Sequence, residues 1–200
     1  MGHGPEAAAP APGLIHPHPL RHVNSKLRIL AAILPAVLLL DVITKRWALT
    51  ALGGGRRMEL LDGLVPLTLA FNRGAAFGIS IGNDPRWFFI PVTILAMGLL
   101  AVLFVQSESE DRAKVVSIAL ILSGALGNLV DRVRWDRGVV DFIGPIDLGF
   151  MHWPIFNVAD SAITCGAVLL GISFWREERT RARAEASEGE APGTETTPGG

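Results

Sequence analysis

The sequence predicts an all-α polytopic membrane protein, and three observations carry that expectation. Half of the 200 residues are apolar, only 18% are charged, and the mean hydropathy is positive at +0.39. Four stretches approach the ~20 apolar residues that a helix needs to cross the hydrocarbon core. Charged residues are sparse within them, and a carboxylate inside a span is costly unless it meets a partner or water. Such carboxylates are candidate functional groups.

The first span covers residues 29–52 and is interrupted by Asp41, Lys45 and Arg46. Asp41 and Lys45 stand four apart, the spacing of neighbours on one helix face, so a local ion pair competes with a role in a site. The second span, 87–106, carries no charge. The third, 115–130, is short and bounded by Lys114 and Asp131. Ser123 and Gly127 give it a small-xxx-small face for close helix packing, while Asn128, Asp131 and Arg132 share a polar face that has to meet something polar. The fourth, 155–175, holds Asp160 as its only charge. Four spans put both termini on one side.

Residues 56–84, between the first two spans, differ in kind. Leu60 to Leu69 has turn residues punctuating short apolar runs, which predicts two or three short strands at the membrane surface. Residues 71–78 follow, where Asn72, Arg73 and Gly74 stand among small residues that allow close backbone approach. Residues 1–24 are rich in Pro, Ala, Gly and His, and residues 177–200 are charged and then rich in Gly, Thr and Pro. Both are expected to be disordered tails around a membrane domain of 25–176. Span one lacks the cleavage site of a signal peptide, and the myristoylation pattern fails after Gly2.

Several classes are excluded or left without parts. Net charge is −1 with no basic stripe interleaved with aromatics, so nucleic acid is not an expected partner. The single cysteine, Cys165, has no partner for a disulfide and is read as packing. No His-Glu-x-x-His or Gly-x-Ser-x-Gly motif occurs, and no ligand spacing implies a metal or other cofactor. Half of the 18 Lys and Arg fall on each side of the membrane, so charge asymmetry does not orient the chain.

Asp141 and Asp160, at the flanks of apolar segments, are the pair with chemical potential. Two carboxylates brought together do not both ionise easily, so one keeps a proton. Such a pair activates water with one member and protonates a leaving amine with the other. A small proton- or ion-coupled carrier using Asp41, Asp141 and Asp160 as a relay is the alternative from another class. A structural bundle leaves these aspartates without a purpose.

Asp41-x-x-x-Lys45, Asn72-x-Gly74-x-Ala76-Phe77, Gly127-Asn128-x-x-Asp131-Arg132, Val139-Val140-Asp141-Phe142 and Phe156-Asn157-x-Ala159-Asp160-Ser161 occur in that order. Together they resemble the bacterial lipoprotein signal peptidases (signal peptidase II), over residues 25–176. The resemblance implies an inner-membrane aspartyl endopeptidase that removes the signal peptide of prolipoproteins just before a diacylglyceryl-modified cysteine. It implies a catalytic dyad at Asp141 and Asp160, with Asp41, Lys45, Asn72, Gly74, Asn128, Asp131, Arg132 and Asn157 supporting the site or substrate. It also implies four transmembrane helices with cytoplasmic termini, and a small extracytoplasmic β-cradle with a short helix. The expected partners are diacylglyceryl-prolipoproteins and membrane lipids, and the expected state is a monomer. Arg73 departs from the small polar residue common after Asn72 in that family.

Overall fold

The computed structural model describes residues 19–74 and 84–189, with side chains described for 25–74 and 84–187. In chain order these form helix α1 (Pro19–Ala51), a 3-10 turn at Gly53–Gly55, strands β1 (Arg57–Leu60) and β2 (Val65–Asn72), helices α2 (Arg86–Gln106) and α3 (Arg112–Arg134), strands β3 (Val139–Ile143), β4 (Ile146–Asp147) and β5 (His152–Trp153), and helix α4 (Val158–Gly189). All four α-helices are long and apolar enough to span a bilayer.

Helix α3 is the centre of the bundle and packs against the other three. Half of its most apolar window is buried, against 6% for α1 and α2, so most apolar side chains of the outer helices face lipid. Contact between α3 and α4 depends on glycines. A Cβ at Gly124 would overlap the Ala159 carbonyl oxygen, and one at Gly166 would lie 2.7 Å from the Ser117 carbonyl. Gly127, read from sequence as packing, has a more specific function: a Cβ there would lie 2.8 Å from Asp41 Oδ2, so its absence makes room for that carboxylate. Because the obstacle at Gly124 is backbone, Gly124→Ala must push α4 off α3. A loss of about 1–3 kcal/mol is expected, read as a lowered unfolding temperature in detergent. An unchanged unfolding temperature would show that the helices separate at no cost.

Asp111 starts α3 by accepting the Lys114 N–H at 3.0 Å. Ser117 and Ser123 turn their hydroxyls back onto the Ala113 and Ala119 carbonyls, both at 2.6 Å, so neither leaves an unpaired donor in the core. One apolar cluster, Phe104, Val115 and Ile118, closes the bundle near the α2–α3 loop. A second, Ala48, Leu52, Leu67 and Phe142, joins the end of α1 to the sheet at the opposite end.

That sheet is antiparallel with order β1-β2-β3. The strands expected within 56–84 are β1 and β2; residues 75–83 of that region, with Ala76 and Phe77 of the matched motif, lie outside the described residues. The third strand comes from beyond α3, and its register sets Asp141 opposite Ala70 and Val139 opposite Asn72. The only short helix among the described residues of this region is the 3-10 turn.

Helix limits differ from the hydropathy reading. Helix α1 starts at Pro19, inside the segment read as a tail, and α3 runs on to Arg134 because Asp131 and Arg132 find partners within the bundle. Helix α4 continues past 176 to Gly189. Glu177 supports that extension, pairing with Lys114 of α3 at 2.8 Å and with Arg181 one turn on at 2.7 Å.

Candidate active site

The site forms where α1, α3, β3 and the start of α4 meet, and Asn157 is its hub. Asn157 is fully buried and immediately precedes α4. Its Oδ1 accepts the Asp160 N–H at 2.8 Å, while its own N–H donates to Asp160 Oδ2 at 3.2 Å. This is a reciprocal capping box, with Asp160 in the third helical position. Two of the amides left orphaned where a helix begins are thereby satisfied. A third is satisfied from α1, where Asp41 Oδ1 accepts the Ala159 N–H at 3.1 Å.

The Asn157 side chain also reaches the other aspartate. Its Nδ2 donates to Asp141 Oδ1 at 2.7 Å and lies 3.1 Å from Asn128 Oδ1 and 3.3 Å from the Val140 carbonyl. One asparagine therefore contacts both carboxylates of the expected dyad. Asp160 takes a further bond on Oδ1 from Asn128 Nδ2 at 2.7 Å.

Behind Asn128 lies a saturated cation. Lys45 Nζ contacts Asp41 Oδ2 at 2.7 Å, Asp131 Oδ2 at 2.8 Å and Asn128 Oδ1 at 3.2 Å, so its three protons have three acceptors. Only 4% of Lys45 is exposed, which makes this an interior network and not the surface pair that an i, i+4 spacing alone allows. Lys45 also fixes the Asn128 amide: its oxygen must face the ammonium, so its nitrogen faces Asp160. Asp131 Oδ2 accepts the Val140 N–H at 3.4 Å, fastening β3 to the end of α3.

Asp141 is 2% exposed. Burial, and then the nearby Asp160, push its carboxyl up to about 7, against the opposing pull of hydrogen bonds from Asn72 and Asn157 and the charge of Lys45. Asn72 thus touches Asp141 from β2, and its Oδ1 also accepts the Gly74 N–H at 2.8 Å. Gly74 has φ 110° and lies against the Phe89 ring, which a Cβ would overlap. The same ring lies 5.6 Å from the Arg132 guanidinium. Arg132 donates to the Asn128 carbonyl at 3.4 Å, and its charge acts on Asp160, Asp141 and Asp131; its buried Nε has no partner among the described residues.

All ten residues named from the sequence thus fall in one connected cluster. Sequence reasoning missed Phe89, which seats Gly74 and Arg132 and carries no signal beyond being aromatic in an apolar span. It also missed the Ala159 N–H, a backbone group that no side-chain motif reports. Cys165 corrects an expectation: it is exposed on the surface of α4, not packed in the core. His152 lies on the β4–β5 hairpin, 72% exposed, beside Asp147.

The chain is similar to known proteins in sequence and in fold. The model of the family described as signal peptidase (SPase) II matches residues 33–176. The lipoprotein signal peptidase of Geobacter sulfurreducens is 41% identical over 156 residues, covering 78% of this chain and 96% of that one. That of Hydrogenovibrio crunogenus is 39% identical over 155 residues, covering 76% and 88%. A solved bacterial membrane enzyme, 31% identical, is similar at a TM-score of 0.66 over 78% of this chain and 90% of its own. A second, 32% identical, gives 0.64 over 76% and 93%. On sequence, over most of its length, the chain belongs to the signal peptidase II family of peptidases.

Proposed function

We propose that this protein removes signal peptides from prolipoproteins, cutting just before a diacylglyceryl-modified cysteine with the Asp141–Asp160 dyad and water. The observation that carries this reading is the double grip of Asn157, which holds two carboxylates of unlike environment at the head of α4. Membership in a peptidase family leaves the ion-carrier alternative without support.

The two aspartates take different parts. Asp160 receives the Asn128 amide and the Asn157 N–H and lies in the first turn of α4, where the helix dipole favours an anion. On this reading it takes a proton from water as that water attacks the scissile carbonyl carbon. Asp141, which keeps its proton to about pH 7, protonates the carbonyl oxygen; as the resulting gem-diol collapses the C–N bond breaks, Asp160 passes the water proton to the departing amine, and Asp141 recovers its proton from a gem-diol hydroxyl. Arg132 and Asn128 stabilise negative charge on the reacting centre, because fixed donors act strongly where water is scarce. Lys45, Asp41 and Asp131 hold Asn128 and α4 in place, and Asn72 and Gly74 shape the strand edge that an extended lipobox meets.

Tryptophans support a position at the membrane surface. Four of the five, Trp47, Trp87, Trp135 and Trp153, stand at the end of the bundle that carries the site, as interfacial aromatic belts do. The tryptophans support a site at a membrane–water interface, and the family resemblance alone supports its placement at the outer leaflet, cytoplasmic termini and a protein that works as a monomer. The test is to mix the purified protein in detergent with a diacylglyceryl-prolipoprotein and follow mass. A product beginning at the lipidated cysteine supports the reading, and an intact substrate with folded protein rejects it.

The Asp141 environment sets a pH dependence of stability. An unfolded aspartate releases its proton near 3.8, whereas folded Asp141 keeps it to about 7. Between those values the folded state binds more protons, so stability falls as pH rises from about 4 to about 7 and this contribution is flat above. Asp141→Asn has no proton to lose. Its unfolding temperature should therefore gain on the parent's across that window, and a constant difference from pH 4 to 7.5 would contradict the assigned environment.

A further inference from the structure

From Trp87 onward helix α2 carries no charge, and it gives most of its apolar surface to lipid. Its first turn nevertheless reaches the site. That turn starts at buried Pro85, whose carbonyl accepts the Phe89 N–H at 3.1 Å. Of the three aromatic residues that follow Arg86, Trp87 and Phe88 are exposed, and Phe89 is turned inward and half-buried. Its ring lies 5.6 Å from the guanidinium of Arg132 on α3 and against Gly74, just past β2. Arg132 differs from the other buried cation of the site, because Lys45 gives all three protons to oxygen and nitrogen-bearing side chains that accept them. Among the described residues Arg132 makes no direct ion pair, although its charge acts on Asp160, Asp141 and Asp131. Its hydrogen bond to the Asn128 carbonyl is long at 3.4 Å, and its buried Nε has no partner there. A buried donor left unpaired is costly, whereas an aromatic ring within about 6 Å attracts a cation through its quadrupole.

We propose that Phe89 is a positioning residue for cleavage: its ring holds the Arg132 cation beside the dyad and leaves the guanidinium N–H groups free for the substrate. The inference rests on the proposed function and adds to it the residue that prepares Arg132. A carboxylate clamp fixes an arginine through the same in-plane donors that a reacting carbonyl needs. A ring fixes it without an oxygen acceptor, so the fork still has protons to give when negative charge develops on the carbonyl oxygen. The place of the ring is the second argument. Gly74 donates its N–H to Asn72, and Asn72 touches Asp141, so Phe89 lies between the cation and the strand end that faces the acid of the dyad. One apolar side chain thereby spaces two polar arms of the site that come from different elements.

With the full-length protein in detergent and a diacylglyceryl-prolipoprotein as substrate, Phe89→Leu should lower kcat about tenfold and leave KM within about twofold, the size of a partly desolvated cation–π contact. The loss falls on kcat because charge on the carbonyl oxygen is greatest in the transition state. Phe104→Leu is the matched control, a buried ring at the other end of the same helix with the Lys26 ammonium 5.9 Å from its centre. It should lower the unfolding temperature and leave kcat unchanged. An unchanged kcat in Phe89→Leu, or an equal loss in Phe104→Leu, overturns the inference. A loss confined to KM assigns the ring to seating Gly74 and overturns its role toward Arg132. Ring fluorination separates positioning from packing. Phenylalanine analogues with one, two and three ring fluorines at position 89 keep the shape of the ring and weaken its negative face stepwise, so kcat should fall with each fluorine while the unfolding temperature stays level. A kcat indifferent to fluorine number overturns the inference and leaves the peptidase reading intact, and this series decides alone if Phe89→Leu does not fold. Wild-type protein that leaves the substrate intact overturns both.

Discussion

Asp141→Asn and Asp160→Asn should each lower prolipoprotein cleavage by at least about 10³-fold, within the range that general acid–base groups supply. The two variants should differ in stability. At Asp141 the carboxyl keeps its proton to about pH 7 and so already presents one oxygen and one O–H beside Asn157 and Asn72; an asparagine presents an oxygen and an N–H in their place, so below that pH this variant should fold as well as the parent. At Asp160 both oxygens accept, one from Asn128 and one from the Asn157 backbone, so an amide group there sets a donor against a donor. Asn128 cannot turn over to relieve it without breaking its bond to Lys45. Asp160→Asn should therefore cost about 1–3 kcal/mol in addition to activity. Cleavage by either folded variant within tenfold of the parent would end the dyad assignment. Equal stability of the two would refute the hydrogen-bond assignment at Asp160.

Lys45→Met should be the most destabilising single change in the polar core. It leaves the Asp41 and Asp131 carboxylates buried without their shared cation, a situation that costs about 3–5 kcal/mol. It also releases Asn128, so activity should fall in whatever fraction remains folded. Adding Asp131→Asn to Lys45→Met should recover part of the loss, since the three side chains are coupled through direct contacts. Denaturant midpoints in detergent measure both effects. A Lys45→Met protein as stable as its parent would mean that water, not the ammonium, compensates those carboxylates.

What the sequence made legible follows from physics that acts locally. Runs of apolar residues near 20 long read as spans whatever they pack against, and intramembrane polar groups draw attention because lipid does not solvate them. Long-range pairing left weaker traces. Strand β3 is buried on both faces from Val139 to Phe142, so it lacks the in–out alternation that marks a half-exposed strand, and its partner lies on the far side of two helices. The local spacing of Asp41 and Lys45 left an ion pair and a site role both open, because Asp131 and Asn128 come from more than 80 residues away to finish the cage. Helix ends were misjudged where hydropathy stops at a charge: Asp131 and Arg132 continue α3, and Glu177 continues α4, because each has a partner that composition does not reveal. Asn157 and Asp160 stood three apart in plain view as a capping pair, overshadowed by the carboxylate itself.

The box that begins α4 has a bearing on how the enzyme is born. One carboxylate arrives with the last transmembrane segment and is aimed only once that segment has nucleated against Gly124 and accepted Asp41 from the first. On the proposed mechanism, a chain inserted segment by segment holds no complete dyad while only α1, α2 and α3 are in the bilayer. On that mechanism the dyad is complete only once α4 has docked on α3 and has accepted Asp41 from α1.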